Sequence, residues 1–232
     1  MSTMKKRTEG ICRFCMKSFS GSAIGGHLVS CRTKIQEDNK CTTNKKIKSS
    51  IYHIKISVYK AYWLHIEMNA MATLAKLDQF LRDIWLECCG HLSEFTINGI
   101  RYETSPSDDW LGMDSKSMNV QLRKVLNVKD KFSYEYDFGS TTHLEGQVLA
   151  EREGLLKEEV KILARNNPYT FKCESCDAKA TEICTECWQS FCNRCLIKHK
   201  CSEEMALPVV NSPRMGVCGY CGQADFDNFA IK

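Results

Sequence analysis

Twelve of the fifteen cysteines in this 232-residue chain stand at spacings that bind metal. The first cluster reads Cys12-x2-Cys15-x11-His27-x3-Cys31. The second runs Cys173-x2-Cys176-x7-Cys184-x2-Cys187-x4-Cys192-x2-Cys195-x3-His199-x-Cys201, and the pair Cys218-x2-Cys221 follows it. A Cys-x-x-Cys turn brings two sulfurs to about 4 Å, the separation of two corners of a thiolate tetrahedron on Zn2+. Cys12, Cys15, His27 and Cys31 fill all four positions of one ion and leave none for water, which makes that site structural rather than catalytic. In the second cluster the four-residue gap between Cys187 and Cys192 is too short for a comfortable fold-back, so interleaving is expected. Cys173, Cys176, Cys192 and Cys195 would share one zinc, and Cys184, Cys187, His199 and Cys201 another. Three Zn2+ are expected in all. Cys218 and Cys221 are then surplus: they replace His199 and Cys201, hold a partial site, or form an unused knuckle.

Disulfides are the other use for so many cysteines, and they need an oxidising compartment. Residues 1–9 show no apolar signal core, and no run of about 18 apolar residues exists to span a membrane. The expectation is a cytoplasmic, metal-loaded protein without membrane attachment.

Other groups invite chemistry less strongly. Cys88, Cys89 and His91 form a Cys/Cys/His trio, but adjacent cysteines at a helix end point to different sides, which weighs against a shared metal. Asp137 and His143 could meet across a hairpin as an acid/base pair beside Tyr134 and Tyr136. The plainer reading is an aromatic strand face with a turn-capping Asp. Asp108, Asp109 and Asp114 resemble Mg2+-binding carboxylates but lie in a polar loop, where a solvated surface is ordinary. No GxxxxGK[ST], HExxH, GxSxG or GxGxxG occurs. No catalytic residue is assigned. A metal-dependent nuclease or recombinase accessory enzyme is the rival to a binding protein, and a purely structural zinc protein that contacts only protein is a third reading.

Charge is divided unevenly. Residues 1–50 carry eleven Lys/Arg against three Asp/Glu, whereas residues 51–164 carry thirteen against seventeen and residues 165–232 eight against eight. A polyanion such as DNA or RNA should therefore meet residues 1–50. Lys5, Lys6, Arg7, Arg13, Lys17, Arg32 and Lys34 are the candidate phosphate contacts. The short helix expected from Ser20 to Cys31 offers Ser22, Ala23, Gly25 and Gly26, with no Arg, Lys, Asn or Gln to read base edges. The more acidic remainder suits a protein partner or a second copy of the chain.

Four segments must position these groups: a C2HC zinc finger at 8–32, a basic flexible linker at 33–50, an α+β domain at 51–164 and a Cys-rich zinc-binding module at 170–232. Cys41 stands alone in the linker. In the finger Phe19 supplies a small core, and Gly25 and Gly26 each weaken the helix by about 1 kcal/mol relative to Ala, which the metal must offset. In the central domain, alternation predicts strands at Ile51–Tyr59, Tyr62–Met68 and Phe95–Tyr102. Thr73 caps a helix running to Glu87, a second helix covers Met118–Leu126, and Lys131–Phe138 with His143–Glu151 form a hairpin. The fold class is α+β, with a mostly antiparallel central sheet flanked by the finger and by a cross-brace-like module.

Several short motifs occur in order across residues 51–152: Trp63, Thr73-Leu74-x2-Leu77, His91-Leu92-x2-Phe95-x3-Gly99-x2-Tyr102 and Phe132-x-Tyr134-x-Tyr136-Asp137-Phe138-Gly139. In these the chain resembles the plasmid Ri open-reading-frame-three-like family, also labelled insertion-element passenger resolvase-like proteins. The resemblance implies a compact α+β fold and a link to mobile elements, and it makes His91 part of a packing motif. It implies no established activity. Ser140 and Thr142 stand where the family pattern has Asp and Trp. Only Arg82, Arg101, Arg123 and Arg152 are available in the domain, unlike the arginine-backed serine of a resolvase. The tail Leu207–Tyr220 looks like the C-terminus of a zinc-bearing subgroup of that family, and residues 173–201 are similar to B-box and related cross-brace fingers.

Overall fold

The computed structural model describes residues 8–42, 49–59, 61–106, 115–201 and 203–222. Lys5, Lys6 and Arg7 lie outside the described residues, as do Asp108, Asp109 and Asp114. The chain forms two compact units. The larger comprises Met1–Phe80, Leu92–Tyr136 and His143–Asn167, and the smaller Leu81–His91, Asp137–Thr142 and Pro168–Lys232.

Ten strands of the larger unit make one mostly antiparallel sheet: β1 (Glu9–Cys12), β2 (Ser18–Ser20), β3 (Ser49–Val58), β4 (Tyr62–Asn69), β5 (Ser93–Ile97), β6 (Ile100–Glu103), β7 (Lys116–Ser117), β8 (Lys131–Tyr136), β9 (Thr142–Gly154) and β10 (Val160–Asn166). Their spatial order is β2-β1-β10-β4-β3-β9-β8-β5-β6-β7, with β7 parallel to β6. The helices are α1 (Ile24–Ser30), α2 (Arg32–Thr42), α3 (Leu74–Leu81) and α4 (Leu122–Val125). The expected α+β class is what the chain adopts.

Strand β4 is buried along almost its whole length, on both faces. Leu64, Ile66 and Met68 point one way into the apolar core, and Trp63, His65 and Glu67 point the other. The second face is buried because the finger and α2 cover it. Trp63, Leu163 and Ala164 of the sheet share one core with Cys12, Ile24, Leu28 and Cys31. β1 pairs with β10, so the finger's first strand extends the central sheet. The finger is thus an edge of the larger unit.

Four expectations about elements change. Residues 32–42 form α2 where a flexible tether was expected. The helix holds because its polar side chains find partners on the sheet. The Lys34 amine lies 2.7 Å from both Glu67 and Asp38, Arg152 binds Glu67 and Asp38, and Lys161 binds Glu37 at 2.7 Å. The strand expected over Phe95–Tyr102 is the hairpin β5–β6, turning at Asn98 (φ 50°) and Gly99 (φ 77°). Asn-Gly is the preferred pair for that turn. The helix expected to reach Glu87 stops being α-helical at Leu81 and continues as one π turn, Arg82–Leu86. α4 covers only part of the helix expected over Met118–Leu126.

The smaller unit has a three-stranded sheet, β11 (Glu182–Cys184), β12 (Ser190–Phe191) and β13 (Ala206–Pro208), ordered β12-β11-β13. A single helical turn, α5 (Asn193–Leu196), follows β12. One of its cores consists of Cys173, Cys184, Phe191 and Cys192, with Ala178, Cys195, Leu196 and Cys201 packed on it. Such a core buries little apolar area, and a metal is the usual remedy.

Candidate metal centres

Each centre begins with a cysteine knuckle. Cys12 accepts a backbone hydrogen bond from Met16 at 2.9 Å, Cys173 from Asp177 at 3.1 Å and Cys184 from Trp188 at 2.8 Å. The donor is four residues on in every case, and all three donors have positive φ: Met16 61°, Asp177 57° and Trp188 60°. This tight loop turns both sulfurs of a Cys-x-x-Cys pair to one side.

The partner ligands arrive from helical segments. α1 presents His27, and Cys31 follows its last residue, so the two ligands stand one turn apart. Cys12, Cys15, His27 and Cys31 place their four donor atoms within 4.8 Å of one another. The Cys12 and Cys31 sulfurs are 3.9 Å apart, and Cys15 Sγ lies 3.2 Å from His27 Nε2. Phe19 stacks on the His27 ring at 3.9 Å, which fixes the imidazole plane.

The smaller unit interleaves its ligands. Cys173 and Cys176 converge with Cys192 and Cys195, and Cys184 and Cys187 with His199 and Cys201, each group within 4.8 Å. Cys176 and Cys192 sulfurs are 3.7 Å apart, and Cys187 Sγ is 3.3 Å from His199 Nε2. Here Phe191 packs on the imidazole at 4.2 Å. Cys192 caps α5, so its carbonyl accepts from Cys195 and Leu196 while its side chain faces the cluster.

The electrostatics of these groups call for a cation. A hydrogen bond from the Cys192 backbone holds the Cys173 thiol at about 6, against its burial. Hydrogen bonds with Cys176 and Cys192 push Cys195, in the same group, up to about 12. Four thiolates this close repel one another, so without a positive ion only some can ionise. A divalent metal makes full deprotonation favourable.

A fourth group was not foreseen. Cys88, Cys89, His91 and Cys218 also bring their donor atoms within 4.8 Å. The expectation that adjacent cysteines diverge at a helix end fails because the helix has already ended. Its π turn closes at Leu86, Glu87 is extended, and Cys88-Cys89 form a bend before Gly90 at φ 76°. Cys221 is not a member of the group; its Sγ lies 3.3 Å from the Gly219 carbonyl.

The remaining candidates fall into place one by one. Asp137 accepts from Arg214, which is fully buried, and from the Gly139 amide at 3.0 Å. Arg214 holds that carboxyl below the ordinary carboxylate range. His143 Nδ1 faces Glu135 at 3.1 Å. Tyr134 is buried, and its hydroxyl donates to Asp78 at 2.7 Å, as does Ser93 at 2.6 Å. Of the basic residues, Lys17 and Arg32 are exposed and Arg13 pairs with Glu158 at 3.3 Å. Lys34 is only 7% exposed and is bound to Glu67 and Asp38. It is an anchor for α2 rather than a surface cation, which charge counting alone does not reveal. Among the described residues no helix is long and apolar enough to cross a membrane.

No curated protein matches the sequence. Among solved structures, the chain is similar to a protein of unknown function, MM3350, from Methanosarcina mazei Go1, with 19% identity over 52% of this chain and 70% of that one and a TM-score of 0.44. The family described as plasmid pRiA4b ORF-3-like protein matches residues 50–153, which spans β3 through most of β9. The Tyr-x-Tyr-Asp-Phe-Gly segment lies inside that match, and through residues 50–153 the chain is similar to the plasmid pRiA4b ORF-3-like family.

Proposed function

We propose that this is a non-enzymatic, zinc-dependent binding protein. Zn2+ at Cys12/Cys15/His27/Cys31, Cys173/Cys176/Cys192/Cys195 and Cys184/Cys187/His199/Cys201 would be structural. One observation carries the reading: each set supplies four protein ligands, so a tetrahedral ion has no open position for water or substrate. The family's description, which names a plasmid, supports an association with mobile elements.

Attachment to nucleic acid is the binding role we favour for the basic N-terminal segment. Its support is the charge surplus of residues 1–50 and the exposure of Lys17 and Arg32. The exposed residues of the finger helix and its approach, Ser22, Ala23, Gly26, Val29 and Ser30, include no Arg, Lys, Asn or Gln for bidentate base readout. Contact would go to phosphates and be weak and salt-sensitive. The rest of the chain would hold a protein partner or a second copy. The enzyme reading has less support, because Asp137 is engaged by Arg214 and His143 by Glu135.

Deleting residues 1–50 would strip β1 and α2 from the sheet, so the test uses the full chain with Lys17→Glu and Arg32→Glu combined. Fluorescent duplex and single strands are titrated at about 50 and 200 mM salt. Loss of two phosphate contacts should flatten the logarithmic salt slope by roughly 1.4–1.8 and weaken binding at low salt. Unchanged affinity and slope would leave the protein-only reading standing instead.

A further inference from the structure

We infer that Cys88, Cys89, His91 and Cys218 form a fourth zinc site, and that this ion latches the C-terminal tail within the smaller unit. The inference extends the zinc reading above. The Cys88 and Cys89 sulfurs are 3.7 Å apart and those of Cys89 and Cys218 3.8 Å. A tetrahedron with Zn–S bonds of about 2.3 Å has S···S edges of about 3.8 Å. His91 Nε2 lies 2.9 Å from Cys89 Sγ and 3.2 Å from Cys218 Sγ. With every donor atom within 4.8 Å of the others, the space suits one ion rather than a two-iron cluster. Three thiolates and an imidazole select a thiophilic, tetrahedral cation.

The surroundings are built for it. Gly90, at φ 76°, lets the chain reverse between Cys89 and His91, and its amide donates to Glu87 at 2.5 Å. Arg214 is fully buried and binds Asp137, and it also hydrogen-bonds Cys88. Three thiolates on one Zn2+ keep a charge of −1, and the guanidinium lies between that charge and the Asp137 carboxylate. Asp137 Oδ2 is 3.5 Å from His91 Nε2. The tail reaches the site through Ser212, whose hydroxyl donates to the Trp85 carbonyl at 2.5 Å and accepts from the Arg214 amide at 2.9 Å. Cys218 itself has φ 50°.

This group differs from the other three. Each of those includes a fully buried cysteine, whereas here Cys89 and Cys218 are exposed and Cys88 and His91 are half-buried. Its ion should therefore leave first to a chelator. Cys218 lies 127 residues from His91, so loss of the ion frees the tail from its distant anchor.

Native mass spectrometry of the full chain and of Cys218→Ser, Cys89→Ser and Cys221→Ser tests the site. Expected are four zincs in the unaltered chain and in Cys221→Ser, and three in each of the other two. Brief EDTA treatment should release one equivalent in a fast phase absent from Cys218→Ser, and trypsin should then cut after Arg214. A count of three that Cys218→Ser leaves unchanged overturns the fourth site alone. Loss of an ion in Cys221→Ser overturns the ligand set, and absent fast release or absent cleavage overturns the latch. A chain with no zinc at all removes the broader zinc reading as well.

Discussion

A methyl group at position 10 has no room. A Cβ there would sit 2.1 Å from the Arg165 carbonyl and 2.5 Å from the Trp63 ring, because β1 is pressed against β10 with the indole across it. Gly10→Ala should cost about 1–3 kcal/mol in denaturant unfolding of the zinc-loaded protein, and a neutral result would contradict the close approach of the finger to the sheet. Cys173→Ser tests the other unit. It removes one thiolate from a core made largely of cysteines, so the variant should bind one zinc fewer and lose protease resistance across residues 170–208 while the larger unit keeps its unfolding transition. Single residues also set what the sequence could disclose. Cys12 and Cys15, or Cys184 and Cys187, announce themselves because both sulfurs come from one local turn. Cys88 and Cys89 do not, because their third and fourth partners depend on a helical segment that ends at Leu86 and on a cysteine far along the chain.

At the scale of elements, α2 is held by charge rather than by apolar area. Burial alone would raise the Glu67 carboxyl, but hydrogen bonds from Arg152 and Lys34 outweigh it and bring the group to about 2. A carboxylate lowered from an ordinary value near 4.3 stabilises the fold fully above that value and loses its contribution as pH falls toward 2, on the order of 3 kcal/mol in all. Unfolding free energies of the unaltered chain should drop by about 2 kcal/mol more than those of Glu67→Gln between pH 7 and pH 3. Metal loss in acid affects both proteins alike, so the difference reports Glu67. His53 and His65, hydrogen-bonded at 2.9 Å beneath the finger, act in the same sense. Burial lowers His53 to about 4 and holds His65 well below its ordinary value, so both are neutral in the fold and resist it once pH falls below about 6.5. The helix itself was illegible in a stretch of Lys, Glu, Asp and Asn, since its partners come from β4, β9 and β10. The β5–β6 hairpin was legible: Asn98-Gly99 between apolar runs is a turn signal, and reading one strand across it overlooked local backbone chemistry.

For the whole molecule, the α+β class followed from strand alternation and helix period, which are local. Strand β10 had no comparably strong pattern, yet it joins the finger to the domain by pairing with both β1 and β4. With an ion bound at Cys12, Cys15, His27 and Cys31, that pairing would tie the candidate site to the larger unit's stability, so Cys31→Ser should lower the unfolding transition of the central sheet as well as the zinc count. Circular dichroism melts with matched metal analysis would show this. A sheet transition unmoved by loss of that ion would mean that the finger folds by itself. The central claim is that the clustered thiolates are held by bound cations, and native mass spectrometry of freshly purified, unreduced protein meets it directly. The account predicts a folded chain carrying at least three zinc ions, each displacing protons. A folded chain with no metal, or one lighter by two hydrogens for every sulfur pair, would contradict it.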